Sequence, residues 1–200
     1  MKNLFWDSCV LIRYFLNDDT QPCFHDISRF IEEAKERSPK WRIHFSTLSF
    51  AEIRQSHFRG DHRNLSEFFE DVGAAFSPID PNPNILIRTG ALRDSLVTCP
   101  NPHGKKIRTV ATPDAILLMT CVHAKKFMGM NDIIFHSTDE GKGKGWAGNT
   151  VPPIGFERWY PENMRTETVK DVCDLRREIP QHPEPMLPGI SDTQPPNQSF

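Results

Sequence analysis

The stretch Leu4-Phe5-Trp6-Asp7-Ser8-Cys9-Val10-Leu11-Ile12 sets the fold. Three bulky apolar residues precede Asp7 and suit a short buried strand, and Val10, Leu11, Tyr14 and Phe15 then repeat at helical spacing. Asp7 therefore both ends a strand and begins a helix. In open α/β sheets ligands bind at the carboxyl ends of parallel strands, so a carboxylate there is presented to a ligand crevice. Helix capping alone also accounts for it, because Asp and Ser accept bonds from the first free helical N–H groups.

Downstream the same plan repeats. Asn17-Asp18-Asp19-Thr20-Gln21-Pro22 has the composition of a turn, and Phe24, Ile27, Phe30, Ile31 and Ala34 mark an amphipathic helix that ends near Ser38-Pro39. Trp41 to Ser46 alternates apolar and polar residues as a second strand. Alternation of this kind predicts a parallel sheet of βαβ units. Further helices are expected at Leu65 to Val72, at Asn84 to Leu96 and from Thr112 onward. Phe76 to Asp80 makes a short edge strand, limited by Pro78, and residues 98 to 112 read as a basic loop. Val151 to Tyr160 is expected as a last edge strand, with a short helix between Thr166 and Arg177.

Three more acids stand at element ends. Ser46-Thr47-Leu48-Ser49-Phe50-Ala51-Glu52 is a hydroxyl-rich helix start that follows the second strand, so Glu52 shares an edge of the sheet with Asp7. Thr112-Pro113-Asp114-Ala115 opens an almost wholly apolar helix, with Thr112 as N-cap and Pro113 in the first helical position. Helix-start chemistry explains Asp114 as well as function does. Asp132 to Phe135 is a buried strand running into His136-Ser137-Thr138-Asp139-Glu140. Each acid alone is ordinary; their common placement is not.

Composition bounds the remaining choices. The chain has 200 residues, 38% hydrophobic and 25% charged, with a net charge of −2, which fits one globular domain with extensions and excludes a strongly basic surface. Five cysteines form no CxxC pair, and they read as reduced thiols of a cytoplasmic protein. No basic leader, long apolar run or cleavage site opens the chain, so no membrane association is expected. Gly141-Lys142-Gly143-Lys144-Gly145-Trp146 lacks the spacing of a phosphate-binding loop, and Asp7-Ser8-Cys9 lacks the second Asp of an aspartyl-phosphate enzyme.

The order strand-Asp-Ser, then Ser-Thr-x-Ser-x-x-Glu, then Pro-Asp-Ala opening an apolar helix, then strand-Ser-Thr-Asp resembles the PIN-domain ribonucleases, and within them the VapC-type toxins of toxin–antitoxin pairs. The resemblance spans about residues 3 to 160. It implies a three-layer α/β fold with a central parallel sheet of four to five strands, in a nuclease domain of residues 1–160. A C-terminal extension, 161–200, would hold a short helix and then a proline-rich tail from Pro180, which has the composition of disorder. Asp7, Glu52, Asp114 and Asp139 match the family's acidic metal-binding and catalytic positions, and Ser8 and Ser137 match supporting hydroxyls. Glu140-Gly141-Lys142 departs from the helix that more often follows the fourth acid, which leaves Glu140 as a substitute for Asp139.

The chemistry of such a group stands on its own footing. Two ionised carboxylates 4 Å apart repel by about 4 kcal/mol at an effective dielectric of 20, so converging acids need a cation or raised pKa values. Hard oxygen ligands suit Mg²⁺ or Mn²⁺, and one or two ions fit the pattern equally well. Zinc is disfavoured by the absence of paired histidines or cysteines. Hydrolysis of a phosphodiester bond follows as the reaction class; the resemblance implies endonucleolytic cleavage of RNA, with single-stranded or looped RNA, an antitoxin protein and a second copy of the chain as partners. A housekeeping RNA-processing nuclease and a non-catalytic RNA- or protein-binding module are the alternatives. Arg54, Arg59, Lys105, Lys106, Lys142 and Lys144 are candidate phosphate contacts, and scattered solvated charge explains them as well.

Overall fold

A computed structural model of the chain describes residues 1–101, 104–141 and 150–183. The first strand, β1 (Lys2–Trp6), leads directly into α1 (Ser8–Phe15), with Asp7 at the junction. Next come α2 (Phe24–Lys35), β2 (Trp41–Ser46), the single-turn α3 (Ser49–Glu52), α4 (Leu65–Val72) and β3 (Phe76–Ile79). The second half holds α5 (Pro83–Arg93), β4 (Val97–Asn101), β5 (Gly104–Arg108), α6 (Thr112–Phe127), β6 (Ile134–His136), α7 (Glu167–Cys173) and β7 (Arg176–Glu178). Strands β4 and β5 form a separate antiparallel hairpin.

Five parallel strands make the central sheet, in the order β3-β2-β1-β6-β7. A parallel sheet covered on both faces needs apolar side chains at successive positions, which is why β1 reads Leu4-Phe5-Trp6 without alternation. Leu4 and Trp6 pack with α1, α2 and α4 around Phe30, Phe45 and Phe68. Phe5 points the other way and joins Leu92, Leu118, Phe135, Phe156 and Val172 beneath α5, α6 and α7. The chain thus forms three layers, helix on sheet on helix. Among the described residues no helix is long and apolar enough to cross a membrane.

The direction of winding reverses once. From β1 the chain steps outward to β2 and β3 with its helices on one face, then crosses back on the other face to β6 and steps outward again to β7. Right-handed crossovers require that change of face when the direction of travel changes. The carboxyl ends of β1 and β6 therefore flank the switch point, where open α/β sheets leave a crevice.

Several expectations need correction. Residues 98 to 108, expected as a loop, pair as the β4–β5 hairpin, because Thr98 and Ile107 stand opposite each other in a ladder that outweighs the prolines and lysines. Val151 to Tyr160 forms no strand; Thr150 makes one isolated bridge to Thr109, and a 3-10 turn follows at Phe156–Trp159. The fifth strand is instead β7, a charged stretch whose polar side chains suit an exposed edge. The sheet consequently continues past the expected boundary at Tyr160, and α7 contributes Val169 and Val172 to the core. Ordered packing also extends beyond Pro180. His182 is buried, with its ring 4.8 Å from that of Phe30, its Nε2 3.3 Å from Glu33 and its backbone N–H donating to Asp26. The remainder of the expected tail, residues 184–200, lies outside the described residues.

Candidate active site

Asp7 ends β1 because its backbone N–H still donates to His136 O of β6, at 3.0 Å, while its extended backbone (φ −67°, ψ 150°) turns the chain into α1. Its carboxylate makes no side-chain cap bond of good geometry to that helix. Only 5% exposed, Asp7 accepts at Oδ2 from Ser137 Oγ (2.6 Å) and from Cys9 Sγ (3.2 Å). Ser137 follows β6 directly and is itself held by its backbone N–H to Glu178 O of β7. A bond between residues 130 apart in sequence thus spans the switch point between β1 and β6.

Glu52 reaches the same place from β2. Ser8 Oγ donates toward Glu52 Oε2 at 2.5 Å and toward Ser49 Oγ at 2.9 Å, its single proton shared between the two acceptors. The helix that opens after β2 is a single turn, with Ser49 on its buried side. Glu52 occupies its last position.

Asp139 joins through its backbone. Its N–H donates to Ser137 Oγ at 3.1 Å, and its Oδ1 accepts from Gly141 N–H at 2.9 Å in an Asx turn. Gly141 has φ +71°, and a Cβ there would meet Pro152 at 3.0 Å, so only glycine closes this turn without strain. Asp139 is thereby tied to the Asp7–Ser137 pair.

Asp114 arrives by a different route. Helix α6 precedes β6 and runs back across the sheet, so its first turn stands at the carboxyl edge. One short segment joins that end to the Asp139 turn, since Val151 N–H donates to Thr109 O and Ile154 N–H donates to Asp139 O. Thr112 is inside the helix, and Ala111 takes the N-cap position expected for it. Asp114 is half-buried in the first turn.

Burial dominates the electrostatics. It pushes the Asp7 carboxyl above its ordinary range, Ser137 and Cys9 oppose that shift as hydrogen-bond donors, and the nearby negative charge of Glu52 adds to it. The Cys9 thiol is pushed up to about 12, first by burial and then by the charge of Asp7, so at neutral pH it is an S–H donor. Among the described residues no three of His, Cys, Asp and Glu are gathered tightly enough to form a closed ligand set. The donors present are nevertheless hard oxygens on one edge of the sheet, and a cation would relieve both causes that raise Asp7.

The basic candidates divide. Arg54 is exposed two residues beyond Glu52. Arg59 donates its backbone N–H to Phe15 O at the far end of α1, about 10 Å along the helix from Ser8, and so stands away from the acids. Lys142 and Lys144 lie outside the described residues, as do the side chains of Lys105 and Lys106. Cys9 and Ser49 were not singled out from the sequence. Cys9 was marked only by its place two residues after Asp7, and Ser49 by its place in the Ser-Thr-x-Ser-x-x-Glu motif, three residues before Glu52. No model of a known protein family matches the chain, and no curated protein matches it significantly.

Proposed function

We propose that the chain is a metal-dependent endoribonuclease of the PIN type, using Mg²⁺ or Mn²⁺, and that it acts as a toxin held in check by a protein antitoxin. The observation that carries this reading is the buried Asp7 carboxylate at the switch point, tied to the strand ends that deliver Ser137, Asp139 and Glu52. Asp7, Glu52, Asp114 and Asp139 would hold the ion. When bound, such a cation supplies positive charge to a phosphodiester and lowers the pKa of water, which is the chemistry of hydrolysis.

The protein's own part is orientation. Ser137 and Cys9 fix the rotation of the Asp7 carboxylate through one oxygen, and Ser8 aims Glu52 toward the same edge. The low polarity around Asp7 strengthens its hold on any cation that replaces water there. Arg54, with Lys142 and Lys144 after Asp139, would receive the phosphates of a single-stranded substrate. An antitoxin segment that inserts an arginine among the acids would neutralise them in place of metal.

The test is cleavage of single-stranded RNA with Mn²⁺ and with chelator, beside growth arrest on expression alone and rescue by co-expression of a neighbouring small gene. A binding module without catalysis is the second reading, favoured by the lack of a closed ligand set among the described residues. Retained RNA affinity in chelator, with no cleavage in Mn²⁺, selects it. Cleavage without toxicity selects a general nuclease.

A further inference from the structure

We propose that Cys9 is a positioning residue for Asp7, holding the carboxylate in the rotation at which it meets a divalent cation. The inference rests on the nuclease reading for the cation, and on this chain's own geometry for the rest. Thr138 backbone N–H donates to Cys9 Sγ at 3.3 Å, so the sulfur already has its donor and turns its own hydrogen to an acceptor. Asp7 Oδ2 is that acceptor at 3.2 Å, nearer than Ser137 Oγ at 3.5 Å, which spends its own hydrogen on Asp7.

The result is a two-sided clamp. Ser137 approaches Oδ2 from β6, and Cys9 approaches the same oxygen from the first turn of α1. Two donors from different elements hold the carboxylate against rotation about its Cβ–Cγ bond more firmly than either does alone. Such outer partners orient metal-binding carboxylates, and their loss typically costs about 10- to 100-fold in affinity or activity.

The experiment compares full-length wild type with Cys9→Ala and Cys9→Ser. Mn²⁺ binding is measured by calorimetry without RNA, cleavage is resolved into kcat and KM, and the S–H stretching band of Cys9 is isolated by infrared difference against Cys9→Ser. Cys9→Ala is expected to weaken Mn²⁺ binding and kcat by about 10-fold, with KM for RNA unchanged. Cys9→Ser, which restores a donor, is expected to recover most of both. The Cys9 band is expected to move to higher frequency in Asp7→Asn, where the charged acceptor is gone. A band indifferent to Asp7→Asn overturns the proposal, as does a Cys9→Ala protein that binds Mn²⁺ like wild type. Equal losses in Cys9→Ala and Cys9→Ser also overturn it, since the sulfur then only fills space. A responsive band in a protein that binds no Mn²⁺ and cleaves no RNA supports the clamp and sinks the nuclease reading instead.

Discussion

Replacing Ser137 by alanine removes the hydroxyl that joins the carboxyl ends of β1 and β6. The side chain is fully buried, donates to Asp7 at 2.6 Å and accepts from Asp139 N–H at 3.1 Å. A bond to an ionised group contributes about 1.5–3 kcal/mol and a neutral one about 1 kcal/mol, so the variant is expected to lose roughly 3 kcal/mol when Asp7 is ionised. Once Asp7 is protonated, two neutral bonds remain to be lost, and the difference falls to about 2 kcal/mol. The sign follows from the hydroxyl's preference for the anion: it holds the Asp7 pKa lower than it is in the variant, so its contribution is largest at high pH and shrinks as pH falls through the folded pKa. Urea titrations in chelator at pH 8 and pH 5 read the difference directly. At about 2–4 °C per kcal/mol for a chain of this size, melting at pH 8 should drop by about 6–12 °C. A loss under about 1 kcal/mol at pH 8, or one that grows on acidification, would refute the bridge.

Asp7→Asn is expected to abolish RNA cleavage in Mn²⁺ while melting no lower than wild type in chelator at neutral pH. The reason is that a raised carboxylate pKa gives stability that is complete below the unfolded value near 3.9 and lost as pH rises through the folded one; full cleavage by the variant would dismiss the metal assignment. His44, buried and bonded to Asn3 Oδ1, has its pKa pushed down to about 4 by burial, so wild type should lose on the order of 2 kcal/mol as pH falls from about 6.5 to 4. In His44→Gln that acid-side slope is expected to be absent, and an identical slope in the two proteins would point to other groups. Replacing Lys142 and Lys144 together by alanine should weaken RNA binding and reduce its logarithmic salt slope by about 1.4, at roughly 0.7 per phosphate on a single strand. An unchanged slope would return both lysines to plain solvation.

What could be read from the sequence was whatever local pattern fixes. The apolar run ending at Asp7, the three-and-four spacing from Phe24 to Ala34 and the apolar run after Asp114 each carry their own element, and the structure places β1, α2 and α6 there. Pro78 correctly marked an edge, since β3 closes one side of the sheet. The failures share another cause. Strand β7 is Arg176-Arg177-Glu178, whose pairing is with β6 and whose composition says nothing of a strand. The β4–β5 hairpin likewise depends on cross-strand partners rather than on the propensity of its lysines and prolines. At the site, the acids were visible because a carboxylate at a strand end is conspicuous. Cys9 and Ser49 were not, because a small side chain becomes a hydrogen-bonding partner only when the fold sets an acceptor beside it.

The 130-residue separation between Asp7 and Ser137 also sets an order in time. The central strand of the sheet leaves the ribosome well before the strand that completes its crevice. At about 5–20 residues per second, roughly 7–26 seconds of synthesis separate the two. During that interval β1, β2 and β3 can pair, but the β6 side of β1 stays open and Asp7 has neither Ser137 nor Asp139 beside it. A nascent or truncated chain that stops before β6 therefore carries every acid but one and no assembled crevice.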